Sequence, residues 1–201
     1  MTLVSAQDVR KYEIGAEASY GISIAKSNSN HVGINLFGGY KPTDNITCGI
    51  GINYGNFQNR LLYSGIEGVF IQTDRYHSIR PYLYGKYHFT PFKKWSPYAG
   101  VKVGYGAFLN SKISFGIPVG YKYMNINPDD YAYLKDLDHS LGISGNIYSS
   151  LDLGVSRKIG EKGSRISFGV ALELQPIKFH YLDKTESRTA FTVGPYIGFS
   201  F

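Results

Sequence analysis

The chain has 201 residues, of which 43% are hydrophobic, with a mean hydropathy of −0.19 and a net charge of +6. No stretch approaches the roughly 20 consecutive apolar residues of a membrane-spanning helix, and the basic residues are too scattered to indicate nucleic acid as a partner. Its 18 Tyr and 12 Phe favour strands, which its 24 Gly do not, and the scarcity of alanine and methionine argues against a helical bundle.

The first ten residues come before any regular pattern. Val4 and Ala6 are small residues at the spacing that signal peptidase prefers, with Gln7 as the first mature residue. We therefore interpret residues 1–10 as the remnant of a signal-peptide cleavage region or a periplasmic tail, and residues 11–201 as one domain.

Strict alternation of apolar and polar residues runs from Lys11 to the last residue. In the first segment one face carries Tyr12, Ile14, Ala16, Ala18, Tyr20, Ile22 and Ile24. A period of two indicates a strand whose two faces meet unlike environments. The pattern recurs in seven later segments, whose apolar stripes start at Val32, Ile46, Ile79, Ala99, Leu141, Ile166 and Phe191. The sequence thus predicts eight strands.

The predicted connections between these strands alternate in length. In chain order they are Ala25–Asn30, Pro42–Asn45, Asn56–Ser78, Thr90–Pro97, Asn110–His139, Ser156–Ser164 and Pro176–Thr189. The second, fourth and sixth are short and rich in turn residues, whereas two of the others are much longer. Short turns at one end and long loops at the other are typical of outer-membrane β-barrels, and an even strand number puts both termini at the short-turn end.

Two further alternating segments leave the strand count open. Lys112–Met124 continues the alternation after the fifth segment, and Val69–Thr73 is a second short candidate. If both joined the wall, the barrel would have ten strands instead of eight.

The polar face of the strands carries charged residues of both signs among many glycines. These charges are Glu13, Glu17, Arg80, Lys86, Lys102, Asp152, Arg165 and Glu173, with Lys11 at the start. Opposite charges in similar number suit pairing across a narrow lumen, where glycine leaves room for large neighbours. We expect these eight residues to form a structural charge network inside a closed barrel.

Periodicity alone does not say which face points inward, so a soluble lipocalin-like carrier is the alternative. Glycine would serve no purpose on a solvated exterior, since it weakens a strand. Aromatic residues also gather at both strand ends, as expected at bilayer interfaces: Tyr12, Tyr40, Phe89, Phe92, Trp95, Phe199 and Phe201 at one end, and Tyr20, Tyr54, Tyr105 and Phe191 at the other. The sequence favours an all-β, antiparallel, up-and-down transmembrane barrel with the apolar face outside.

The last strand, Phe191–Phe201, alternates apolar residues and ends on an aromatic residue. It resembles the C-terminal signature of bacterial outer-membrane proteins, with Phe199 and Phe201 as the residues that the barrel-assembly machinery would recognise. Residues 11–201 as a whole resemble the small barrels of the OmpX and OmpA-transmembrane type and the PorT-like group. The resemblance implies a Gram-negative outer membrane, contact with its lipid and lipopolysaccharide, and periplasmic termini.

No phosphate loop, metal-ligand cluster or nucleophile motif is recognisable, so we expect no cofactor and no catalytic residues. The five histidines are His31, His77, His88, His139 and His180. The resemblance leaves an enzyme acting on lipid A or peptides as an alternative, with Asp74, His77, Asp129, Asp130, Asp136, Asp138 and His139 near the outer rim. A narrow channel is a further alternative, which inward tyrosines and paired charges disfavour.

The third connection is unusually apolar for an exposed loop. It contains Leu61, Leu62, Tyr63, Ile66, Val69, Phe70 and Ile71. We predict either an extension of the third and fourth strands beyond the membrane or a protein-binding edge within residues 58–77. A plugged barrel with a structural or interaction role is the resulting functional prediction.

Overall fold

The computed structural model describes residues 11–24, 29–59, 63–66, 69–73, 76–90, 94–109, 113–116, 142–159, 164–181 and 184–201. Its strands are β1 (Tyr12–Ser23), β2 (Ser29–Tyr40), β3 (Ile46–Asn59), β4 (Tyr63–Ile66), β5 (Val69–Thr73), β6 (Tyr76–His88), β7 (Trp95–Tyr105), β8 (Ala107–Leu109), β9 (Ile113–Gly116), β10 (Gly142–Ser144), β11 (Ile147–Ile159), β12 (Ser164–Tyr181) and β13 (Lys184–Ser200). No helix in these ranges is long and apolar enough to cross a membrane.

Eight strands close into an antiparallel up-and-down barrel. Its wall runs β1, β2, β3, β6, β7, β11, β12, β13, each paired with the next, and β13 also pairs with β1. The seam is complete at its end, where Phe201 and Ile14 exchange backbone hydrogen bonds of 3.0 and 3.1 Å. The predicted eight-stranded closed barrel is therefore confirmed.

The two additional candidate strands form outside the wall. Val69–Thr73 is β5, and part of Lys112–Met124 is β9; together with β4 they make a separate sheet in the order β4-β5-β9. The ten-stranded alternative is thus wrong, because these segments pair with each other instead of with the barrel.

Two predicted connections are partly strand. β3 and β6 stay paired as far as Phe57 and Tyr76, inside the predicted link Asn56–Ser78. β12 and β13 stay paired as far as Tyr181 and Lys184, so most of the predicted link Pro176–Thr189 is a protruding hairpin.

The predicted link Pro176–Thr189 begins at a proline, a residue that normally interrupts a central strand. In the fold, residues 175–177 have no register partner in β10 or β11 and pair only with β13, so Pro176 has a neighbouring strand on one side alone. Proline is therefore tolerated at this position.

The side-chain alternation sets the environment of each face. Charged residues and large tyrosines point into the lumen and are buried, whereas Ile, Val and Leu of the same strands are exposed on the outside. We call the end with the short connections at residues 41–45, 89–94 and 160–163 the lower end, and the opposite end the upper end.

Candidate functional site

The lumen holds three clusters of charged residues, stacked from the upper to the lower end. The upper cluster consists of Arg80, Glu173 and His31, contributed by β6, β12 and β2. Glu173 Oε2 lies 3.0 Å from Arg80 Nη1 and 3.0 Å from His31 Nε2. All three side chains are buried. One carboxylate thus links three strands across the lumen.

The guanidinium of Arg80 is held on several sides. Its Nε donates a hydrogen bond to Asn53 Oδ1 at 2.8 Å, and Asn53 Nδ2 donates in turn to Asn35 Oδ1 at 2.9 Å. The rings of Tyr148 and Phe57 lie 4.5 and 5.3 Å from the guanidinium carbon. Hydrogen bonds in the guanidinium plane and aromatic faces beside it suit arginine specifically, since lysine has no planar group.

The central cluster consists of Lys102, Glu17 and Asp152. Lys102 Nζ lies 2.8 Å from Glu17 Oε2 and 2.8 Å from Asp152 Oδ2, which joins β7 to β1 and β11. Ser150 Oγ donates a 2.6 Å hydrogen bond to the other oxygen of Asp152. The single buried ammonium is thereby compensated by two carboxylates.

The lower cluster is looser. Glu13 lies 3.9 Å from Lys86 and 3.7 Å from Lys41, and Thr47 Oγ1 donates to it at 3.4 Å. Lys41 lies just beyond the end of β2, where burial lowers the pKa of its ammonium and the neighbouring Glu13 carboxylate opposes that change. Lys41 is partly exposed and lies beyond the end of β2, so the cluster is at the mouth of the lumen.

Aromatic side chains fill the space between the charged clusters. Phe37, Tyr82, Tyr84 and Tyr148 form one buried group, and the Tyr196 hydroxyl donates to the Tyr98 hydroxyl at 2.6 Å in another. A pocket beside Lys102 has room for about one water molecule. The described lumen is packed by side chains.

Interior glycines make this packing geometrically feasible. A Cβ on Gly51 would collide with the Tyr82 ring, and a Cβ on Gly154 would collide with the Tyr196 hydroxyl. A tyrosine therefore occupies the volume that each glycine leaves free.

Seven of the eight predicted network residues meet a charged partner within 4.0 Å. They are Glu13, Glu17, Arg80, Lys86, Lys102, Asp152 and Glu173. Arg165 donates to Ser156 Oγ at 3.0 Å. His31 and Lys41 belong to these clusters but were not in the predicted set. His31 carried a signal, because it lies on the polar face of β2, yet its partner is fixed only by closure of the barrel.

Most of the rim candidates for catalysis fall outside the described residues. This applies to Asp74, Asp129, Asp130, Asp136, Asp138 and His139. His77 is described, and its Nδ1 lies 2.6 Å from the Tyr54 hydroxyl on the outer face of the wall. His88 lies in the lumen, 3.3 Å from Ser96 Oγ. His31, His77 and His88 thus each have a polar neighbour.

The outer face carries the apolar stripes and the aromatic residues of both ends. Ile50 and Leu83 are each 66% exposed, although they are large aliphatic side chains. Tyr12, Tyr40, Trp95, Phe199 and Phe201 are exposed at the lower end, and Tyr20, Tyr54 and Tyr105 at the upper end. The described barrel therefore has its apolar surface outside and its charges inside.

Comparison with solved structures shows similarity to small outer-membrane barrels. Neisserial surface protein A is 14% identical with a TM-score of 0.54, and the match covers 94% of this chain and 96% of that one. The outer membrane enzyme PagL is 11% identical with a TM-score of 0.44, covering 93% and 98%. The outer membrane protein AlkL is 13% identical with a TM-score of 0.44, covering 94% and 88%.

No protein-family model and no curated protein matches the chain. At 14% identity the likeness to Neisserial surface protein A establishes the fold, the eight-stranded barrel. The chemistry has to be argued from this chain's own residues.

Proposed function

We propose that this chain is an integral outer-membrane protein that crosses the bilayer as the eight-stranded barrel, with its lower end and both termini in the periplasm. The observation that carries the proposal is the inverted distribution of side chains. Large aliphatic residues such as Ile50 and Leu83 are exposed on the outside, while Arg80 is fully buried inside. In water this distribution would expose a continuous apolar surface, whereas in lipid it satisfies both faces.

The wall also meets the main requirement of the hydrocarbon region. Lipid offers no hydrogen bonds to the backbone, so a membrane sheet must have no unpaired edge. The pairing of β13 with both β12 and β1 removes that edge. Exposed aromatic residues at both ends of the wall lie where the two interfaces of a bilayer would be.

Two variants, each with a single cysteine at a different height along the barrel, test membrane insertion. Cys48, the one cysteine of the chain, is replaced by serine, and either Ile50→Cys or Asp44→Cys is added. Both positions are exposed on the protein surface, but Ile50 lies on the outer stripe and Asp44 in a short turn. In lipid vesicles with a water-soluble maleimide on both sides, we expect labelling of the Asp44→Cys variant and protection of the Ile50→Cys variant. Equal labelling of both would contradict insertion.

The lumen is proposed to be a plug that stabilises the barrel, not a channel. Three charge clusters and the tyrosines between them occupy its length, and an eight-stranded wall leaves an interior only just filled by side chains. We expect no discrete conductance steps in planar bilayers containing the purified protein. Defined ion-sized steps that persist in independent preparations would overturn the plug.

The remaining role is proposed to lie at the upper end, as a scaffold that presents extracellular segments to a partner or to lipopolysaccharide. The β4-β5-β9 sheet is separate from the wall, so it can change without breaking barrel pairing. Deleting residues 60–74 should leave the heat-modifiable gel shift intact and abolish capture of an extracellular protein partner. Retained capture would place the interaction elsewhere.

Assembly is proposed to depend on the C-terminal aromatic residues. Phe199 and Phe201 are exposed on the outer face of the closing strand, so their rings are accessible before the wall is embedded. Phe201→Ala should reduce the amount of folded protein in the outer membrane of cells, whereas refolding into vesicles in vitro should proceed. Normal assembly in cells would contradict recognition of this signature.

A further inference from the structure

The lower cluster differs from the central cluster in its ratio of cations to carboxylates. In the central cluster a single ammonium, Lys102, contacts two carboxylates, each at 2.8 Å. In the lower cluster a single carboxylate, Glu13, has two ammonium groups near it, Lys41 at 3.7 Å and Lys86 at 3.9 Å. The lower cluster therefore has an excess of positive charge, and its cations are held less tightly.

Arg165 adds a third cation to the same mouth of the lumen. It pairs in register with Ser200, whose hydroxyl hydrogen-bonds the Glu13 carboxylate. Its Nη1 donates to Ser156 Oγ at 3.0 Å. Lys158 lies opposite Arg165 in the register of β11 and β12, and residues paired in this way project from the same face of the sheet. The lumen side of the lower end is thus basic from β11 round to the end of β2.

Electrostatic coupling joins these cations. Burial lowers the pKa of the Lys41 ammonium, the Glu13 carboxylate opposes that change, and the charges of Arg165 and Lys86 lower the pKa again. Asp44, in the adjoining turn, forms no ion pair within 4.0 Å among the described residues. The positive charges therefore repel one another, and a bound anion would relieve that repulsion.

Two of the cations can be reached from the aqueous side, and the third closes the site from below. Lys41 and Arg165 are both partly exposed at the mouth. Lys86 is buried, and its Nζ lies 4.9 and 5.1 Å from the ring centres of Tyr98 and Phe37. A ligand at the mouth would meet Lys41 and Arg165, and this aromatic layer would stop it from passing into the lumen.

We propose that Lys41 and Arg165 bind a phosphate-type oxyanion, inorganic phosphate or a phosphate monoester, at the lower mouth of the lumen. A guanidinium can bind two oxygens of a phosphate at once, and an ammonium can bind a third as a point charge. A phosphate monoester carries a charge of about −1.5 to −2 at pH 7, which suits three cations around one carboxylate better than a singly charged carboxylate ligand does. This inference goes beyond the proposed function, because it requires the folded barrel but not its insertion into a bilayer.

Calorimetric titration of the full chain, folded in micelles of a zwitterionic detergent, tests the site with inorganic phosphate as the probe. We expect phosphate to bind more tightly than acetate at equal ionic strength. Lys41→Gln and Arg165→Gln should each weaken phosphate binding about tenfold, through loss of a charge-assisted hydrogen bond. Arg157→Gln removes a cation at the same end but on the outer face of β11, so it should leave the affinity unchanged.

A second measurement uses the unmodified chain, so it does not depend on the folding of a variant. Phosphate should slow acylation of Lys41 by a water-soluble N-hydroxysuccinimide ester several-fold, as measured by mass spectrometry, and should not slow acylation of Lys178, which is exposed at the upper end. If a variant loses the heat-modifiable gel shift, this protection decides the question. Unprotected Lys41, equal affinity for acetate, or an equal loss of binding in Arg157→Gln overturns the inference.

Discussion

The inner and outer faces of the wall have opposite requirements, although the same strands build both. On β6, Arg80 is fully buried with an ion pair, a hydrogen bond and two aromatic neighbours, while Leu83, three residues on, is 66% exposed. The inner face consists of groups that need specific partners. The outer face needs only apolar surface, so its residues should be interchangeable within that class.

The largest effect is expected on the inner face, from Glu173→Gln. The substitution removes the carboxylate that pairs with Arg80 and His31, and leaves a buried guanidinium without its counter-charge. Breaking a buried ion pair on one side costs about 3–5 kcal/mol. Urea titration of the protein in vesicles measures this loss as a lower free energy of unfolding. Asp44→Asn, in an exposed turn, is the control and should have little effect. If both substitutions lowered the free energy of unfolding by the same small amount, the inner face would not depend on the Glu173 ion pairs.

For the outer face, the test is whether it tolerates a charged side chain. Leu83→Arg places a guanidinium on the exposed stripe, which costs about 2–4 kcal/mol near the bilayer midplane. Leu83→Met keeps the surface apolar and should change the same unfolding free energy by much less. If arginine were tolerated as well as methionine, the outer face would be facing water.

The two faces differ in the space available next to their glycines. A Cβ on Gly154 would collide with the Tyr196 hydroxyl and lie 2.8 Å from the Phe168 carbonyl oxygen, whereas a Cβ on Gly85 would meet nothing closer than 4.0 Å. We expect Gly154→Ala to lower the unfolding free energy by about 1–3 kcal/mol through overpacking. Gly85→Ala, on the outer face, should be close to neutral, and the reverse order would contradict the packed lumen.

The smallest effect is expected from one hydroxyl. Tyr196→Phe removes the donor of the 2.6 Å hydrogen bond to Tyr98 and keeps the ring that fills the lumen. Such a bond contributes about 1 kcal/mol, so the urea midpoint should fall slightly while the gel shift persists. Tyr20→Phe, on the exposed outer face, is the matched control. Identical urea midpoints for Tyr196→Phe and Tyr20→Phe would show that packing of the ring, and not the hydrogen bond, stabilises this part of the lumen.

The sequence predicted the strands and the side on which each residue lies. Alternation in β1 separates Glu13 and Glu17 from Ile14 without any knowledge of neighbours, because successive side chains point to opposite faces. The prediction was wrong for the link Pro176–Thr189, most of which is paired strand. Alternation also places His31 on the polar face, but it does not identify its partner Glu173, which lies far away in the sequence.

By itself, then, the sequence determined the eight stripes, the polar composition of one face and the aromatic ends, since these depend only on local order along the chain. Only the tertiary structure decided which charges meet. Glu173 reaches Arg80 and Lys102 reaches Glu17 across the lumen, through register and closure that no local pattern encodes. Closure also excludes β5 and β9 from the wall. Once β13 pairs with β1, eight strands satisfy one another's backbone hydrogen bonds, and β5 and β9 form a separate sheet with β4.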